Sequence, residues 1–188
     1  MFREAFRVLK PGGEFYFSDM YSDRRIPKEF GKDDELHGEG LSGSQYYNDF
    51  FRVVNRIGFT DPRLVSSFPV TIRSEEIKRK VGHISYYSAV YRLWKLENLE
   101  SVREDYGQGV RYKGTILNSP QMYVLDKDHK FEKDKVTLVC GNTFVMLHDT
   151  RLAPHFEFFS TEPLIHHGVF PGCGANNPFS TNGSSSCC

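Results

Sequence analysis

Apolar positions change period several times along the chain, and each change predicts an element. Phe2, Ala5, Phe6 and Leu9 recur at i, i+3, i+4 and i+7, one stripe of a short helix. Pro11-Gly12-Gly13 stops it. Glu14 to Asp19 reads as a buried strand built on Phe15, Tyr16 and Phe17. Tyr21 to Gly43 loses the pattern and carries Pro27, Gly31, Gly38, Gly40 and Gly43. A connection of that length is functional or disordered rather than idle. Ser44 to Ile57 regains a helical face through Tyr47, Phe50, Phe51, Val54 and Ile57, with Ser44 as N-cap and Gly58 past the end. Asp61-Pro62 opens a strand running through Arg63 to Ile72, and Ser74 to Val81 is a short amphipathic helix closed by Gly82. Ile84 to Lys95 is a long strand apolar on both faces, which predicts an interior place in a sheet.

The second half is more broken. Glu97 to Gly109 is charged and glycine-containing, and a boundary is expected there, with 98–109 as linker. Gly107-Gln108-Gly109 reads as a flexible hinge. Strands are expected at Val110 to Ile116, Met122 to Leu125, Lys130 to Phe131, Val136 to Val139 and His155 to Phe159, with a helix over Thr143 to Thr150. Residues 110–165 thus form a small α+β domain. Lys127, Asp128, His129 and Lys130 read as a solvated charge run, and Cys140, at the end of an apolar strand, as a buried inert thiol. Residues 166–188, rich in Gly, Ser, Asn and Pro, read as a flexible tail.

Charge narrows the function classes. Lys plus Arg and Asp plus Glu both number 24 in 188 residues, so there is no basic footprint for a nucleic acid. No apolar run is long enough to span a bilayer, and the first residues have no signal-peptide core. Three of the four cysteines crowd the last sixteen residues instead of being spread through the fold, which points to a reducing, cytoplasmic compartment.

The run FREAFRVLKPGGEFYFSD resembles the fifth-strand region of class I S-adenosylmethionine-dependent methyltransferases. GEGLSGSQYYNDFFRVVNRIGFTDPRLV, GHISYYSAVYRLWKL, YKGTI, VLDKDHKFE and VCGNTFVMLHDTRLAPHF, taken with it, resemble the arsenite methyltransferase family. The resemblance runs from Phe2 to about Phe170 and implies an α/β fold. Residues 1–97 would be the C-terminal half of a Rossmann-like methyltransferase core with the arsenic-binding loop region, and the small α+β domain would follow. It implies S-adenosylmethionine as methyl donor and trivalent arsenic, free or as a thiol conjugate, as acceptor. The family's cofactor-cradling glycine loop lies upstream of the LKPGG segment, so this chain alone is not expected to bind the cofactor. An open sheet edge at Phe15 to Phe17 is expected to favour self-association.

Soft trivalent arsenic prefers thiolates. The resemblance places two of the family's arsenic-binding cysteines at Gly40 and Ile84, and neither residue carries a thiol. Three readings stay open: another small nucleophile as acceptor, an inactive homologue, or thiols taken from the tail or from glutathione. His37, Glu39, Tyr46 and His83 neighbour the two positions in sequence and are candidate pocket residues. Cys173, Cys187 and Cys188 are candidate ligands for a soft metal or arsenical, which makes a non-catalytic thiol module the rival to an enzyme and a ligand-free remnant the third possibility.

Overall fold

In the computed structural model, residues 1–171 are described. The first half is one mixed sheet with helices against it. Its elements are α1 (Phe2–Val8), β1 (Glu14–Ser22), α2 (Asp34–Gly38), β2 (Gln45–Tyr46), α3 (Tyr47–Ile57), β3 (Arg63–Pro69), α4 (Glu75–Val81) and β4 (Tyr86–Trp94). The strand order is β2-β1-β4-β3. β4 is antiparallel to both neighbours, and β2 is parallel to β1. The long two-faced apolar strand therefore lies inside the sheet, as its pattern predicts.

Several boundaries differ from the sequence reading, among them the end of β3 at Pro69 rather than Ile72. β1 runs on to Ser22, because Met20, Tyr21 and Ser22 pair with Ser88, Tyr87 and Tyr86 and Tyr21 is buried. Asp19 thus lies within the strand rather than at its end, and its carboxylate accepts the Met20 amide at 2.8 Å. α3 starts at Tyr47, not Ser44. The Ser44 hydroxyl donates back to the Leu41 carbonyl at 2.9 Å, and Gln45–Tyr46 pair with the end of β1 instead of coiling. The helix closes where expected: Gly58 takes φ +116° and returns its amide to Val54 and Asn55. α4 is capped by Ser74, whose hydroxyl accepts the Ile77 amide.

The second half holds β5 (Glu104–Asp105), β6 (Gln108–Tyr112), β7 (Met122–Val124), β8 (Lys130–Glu132), β9 (Val136–Val139), α5 (Gly141–His148), β10 (Phe156–Phe159) and β11 (Gly168–Val169). β6 is central between β10 and β9, β7 and β8 form a hairpin, and β5 pairs with β11. Gly107 makes the turn between β5 and β6 at φ +63°, its amide held by the Asp105 carboxylate. Gln108 and Gly109 are buried inside β6, so the segment is a tied turn leading into a strand rather than a hinge.

Apolar side chains gather in three clusters. Phe2, Phe6, Phe15 and Phe17 pack with Phe50, Val54, Phe59 and Tyr91 between the sheet and helices α1 and α3. Leu36, Leu41, Ile77, Val81 and Tyr86 form a second cluster under the segment after β1. The third joins Val110, Tyr112, Phe131, Met146, Leu147 and Phe156, and β4 sends Trp94 into it. Polar ties add to this seam: the Lys127 amide donates to the Leu64 carbonyl, Arg92 to the Tyr123 hydroxyl, and Arg151 to Glu14. Among the described residues no helix is long and apolar enough to cross a membrane.

Candidate functional site

The segment between β1 and β2 is folded, not irregular. The Asp33 carboxylate accepts the amides of Glu35 and Leu36, both at 3.0 Å, and so starts α2. Leu36 and Leu41 then turn into the second cluster. Lys80, near the end of α4, reaches Asp33 at 3.0 Å and Glu35 at 2.7 Å. Ser85 and Asp23 exchange two hydrogen bonds, Asp23 N to Ser85 O and Ser85 N to Asp23 Oδ1. These ties and the shared apolar cluster draw the loop after α2 toward the turn after α4.

The two positions to which the resemblance assigns thiols lie in these two loops, Gly40 after α2 and Ile84 after α4. Gly40 takes φ +72°, and a Cβ built there would meet only the Met20 Cε, at 3.7 Å. Met20 packs on the second cluster, and so does Ile84. Neither position carries a thiol: Gly40 has only the Met20 thioether end beside it, and Ile84 packs on the second cluster. The left-handed backbone at Gly40 also disfavours any side chain there, by about 1–2 kcal/mol.

The other candidates are arranged less closely. His37, Glu39 and His83 are exposed. His37 contacts the Ser42 hydroxyl at 3.3 Å. Tyr46 is half-buried, stacks edge-on with Tyr47, accepts from Asn48 through its hydroxyl, and has the Arg25 guanidinium 5.6 Å from its ring centre. Among the described residues no group of three or more His, Cys, Asp or Glu could hold a metal ion. Cys173, Cys187 and Cys188 lie outside the described residues. Gly107-Gln108-Gly109 leads into β6 and not from a strand into a helix, so it lacks the strand-loop-helix setting of a nucleotide-cofactor glycine loop.

A second constellation was not legible in the sequence. Arg63, at the start of β3, is fully buried. It lies 2.7 Å from Asp61, donates to Asp126 at 3.1 Å, and donates to the Thr143 hydroxyl at 3.0 Å. His129 Nδ1 lies 2.7 Å from Asp126 Oδ1, and its Nε2 lies 3.3 Å from Thr143. A carboxylate can only accept, so Nδ1 carries the proton. Cys140 contacts Thr143 at 3.2 Å and hydrogen-bonds His129. Arg103 and Asn142 complete the set on Asp61. The supposed solvated charge run is thus corrected at His129, which is 1% exposed. The turn from Asp126 to His129 faces inward because Asp126 accepts its own turn amides while both its oxygens meet buried donors. Cys140 is buried, as its strand end predicts, yet it sits among charged groups rather than in a purely apolar site.

Burial opposes ionisation of Asp126 and Asp61. The His129 bond and the Arg63 charge outweigh it at Asp126, and Arg63 and Arg103 outweigh it at Asp61, so both carboxyls stay below the usual range. Burial likewise opposes a charge on His129, but the bonds to Asp126 and Cys140 leave its pKa raised.

The description of one family model, "Arsenite methyltransferase C-terminal domain", matches residues 106–181. The relatives agree with it over more of the chain. An arsenite methyltransferase of Aquipseudomonas alcaligenes is 49% identical over 190 residues, covering 99% of this chain. This chain matches the carboxy-terminal part of the arsenite methyltransferase family. The arsenite methyltransferase of Mus musculus is 33% identical over 83% of the chain, and that of Homo sapiens 33% over 82%. The crystal structure of an arsenic(III) S-adenosylmethionine methyltransferase from Chlamydomonas reinhardtii superposes with a TM-score of 0.83 at 44% identity, covering 90% of this chain and 56% of that one. The chain spans about half the length of these proteins: 55% of the bacterial relative and 41% of the mouse one.

Proposed function

We propose that this chain forms the acceptor-holding part of an arsenite-methyltransferase-like protein, and that its acceptor arrives already bound to thiols. The observation behind this reading is that Met20 Cε lies beside Gly40, that Met20 and Ile84 pack on the same apolar cluster, and that neither position 40 nor 84 carries a thiol. In methyl transfer the arsenic lone pair attacks the methyl carbon of the sulfonium donor in line, and positioning supplies much of the rate. Protein thiolates usually do that positioning for soft arsenic. Glycine and isoleucine cannot. An arsenic atom carrying small-molecule thiolates, such as a glutathione conjugate, brings its own soft ligands and presents apolar stems that Met20 and Ile84 can cover. Donor binding is not ascribed to the residues present, since Gly107 turns between two strands and Gly109 lies inside β6.

The test is isothermal titration of the reduced chain with trivalent arsenic, alone and as its tris-glutathione conjugate, in a background with Cys173, Cys187 and Cys188 changed to serine. The conjugate binds in this reading, and Ile84→Asp or Met20→Asp abolishes its heat. Uncomplexed arsenic binding as tightly in the serine background contradicts it. Uncomplexed arsenic bound by the natural chain and lost in the serine background, with no conjugate binding, assigns the chain to the thiol-module class instead. No heat with either form overturns the reading in favour of a ligand-free remnant.

A further inference from the structure

The Arg63 constellation takes no part in the acceptor site, and its residues come from both halves of the chain. Asp61 and Arg63 belong to the first half, at the start of β3. Asp126 and His129 lie at the β7–β8 turn, and Cys140, Asn142 and Thr143 at the start of α5. Beside them the Lys127 amide donates to the Leu64 carbonyl at 2.9 Å. Three features separate this cluster from ordinary core. Arg63 Nε and Arg103 Nη1 are buried with no hydrogen-bond partner in the protein, so the charge set is incompletely satisfied. Asp61 takes φ +54°, a backbone conformation unusual outside glycine. Asp61 also lines an open cleft of about 500 Å³ with Phe51, Asn55, Thr60, Pro62 and Ser101, so one end of the cluster borders solvent although Arg63 itself is sealed.

We propose that this cluster is a releasable clasp: it holds the β-rich second half on β3, and its local opening uncovers the Cys140 thiol. Water entering along the cleft can solvate Asp61 and Arg103 first. Arg63 then loses a partner, and the bonds to Asp126 and Thr143 separate the two halves where they part. Cys140, fully buried in the closed state, becomes reachable at that step. Desolvated charges make the clasp strong only while every partner is present. That is the behaviour of a latch and not of a hydrophobic seam, which weakens gradually.

Cys140 is its own reporter. N-ethylmaleimide adds the sulfur across its carbon–carbon double bond; a new S–C bond replaces the π bond, and the thiol proton passes through solvent to the adjacent ring carbon. Alkylation of the full chain, read at Cys140 by peptide mapping, should run about a hundredfold slower than alkylation of glutathione. Asp126→Asn and Thr143→Val should each speed it about tenfold or more, the loss expected for one buried partner. Thr143→Ser, which keeps the hydroxyl, should restore the natural rate. Amide exchange in β4 is followed in the same samples. A local clasp speeds Cys140 labelling by a larger factor than it speeds β4 exchange. Equal acceleration at both places means only global destabilisation and overturns the proposal. So does a natural Cys140 that reacts as fast as glutathione, or labelling that the two variants leave unchanged. None of these readouts depends on an arsenical, so the clasp stands or falls separately from the acceptor-site reading.

Discussion

Arg63 Nη2 lies 2.7 Å from Asp61 Oδ2, with the two side chains 0% and 7% exposed. A buried ion pair of this kind does little for net stability when whole, yet removing one partner strands the other. Arg63→Met leaves Asp61 with Arg103 and Asn142, but leaves Asp126 with only His129 and its own turn amides. The expected cost is about 3–5 kcal/mol. Urea unfolding followed by circular dichroism measures it. A change below about 1 kcal/mol would show that the pair is replaceable by packing.

The same cluster sets the acid limb of stability. Asp61 and Asp126 have pKa values held below those of the unfolded chain, where an aspartate titrates near about 3.9. Their contribution is complete above that value and is lost as pH falls through the folded-state values. His129 has the opposite sign: its pKa is raised, so its contribution is complete below about 6.5 and is lost as pH rises through the folded value. The urea midpoint should therefore fall below about pH 4 and also decline above neutrality. Asp126→Asn should flatten the acid limb, and His129→Gln the alkaline one. Unchanged limbs in these variants would remove the cluster from the pH dependence.

Gly58 offers a test of the first core. Its φ is +116°, and a Cβ there would stand 2.8 Å from Phe6 Cζ. Gly58→Ala must adopt a left-handed backbone and displace the Phe6 ring, which packs edge-on against Phe59 at 5.0 Å. The expected loss is about 1–3 kcal/mol. Thermal unfolding checks it, and a neutral result would mean that α1 can shift without cost.

The edge of β1 predicts self-association. β2 covers β1 only at Tyr21 and Ser22, so Glu14 to Met20 pair on one side alone among the described residues. The aromatic side chains Phe15 and Phe17 are packed on Phe2, so pairing would run through backbone groups beside the exposed Tyr16. Light scattering on the eluting chain should give a mass above the monomer's 21.7 kDa. A single monomeric peak at high concentration contradicts it.

How much could be read from the sequence depended on the range of the interaction. α3 and α4 were legible because their stripes, Gly58, Ser74 and Gly82 act within a few residues. β4 was legible because both its faces are apolar. The last residues of β1 were not, since Tyr21 and Ser22 owe their strand conformation to Tyr87 and Tyr86 far along the chain. The residue types at 40 and 84 could be read directly, whereas Met20 beside Gly40 could not. The Arg63 cluster was the least legible. Its partners Asp126 and Thr143 lie 63 and 80 residues away, and a Lys-Asp-His-Lys run carries no local sign that one member points inward.

The most direct measurement is arsenic titration of Gly40→Cys/Ile84→Cys beside the natural residues, both in the serine-tail background. The double cysteine variant should take up uncomplexed trivalent arsenic at one equivalent, while the natural residues accept only its thiol conjugate. Uptake of uncomplexed arsenic with glycine and isoleucine in place, or none after both cysteines are installed in a folded chain, would contradict it.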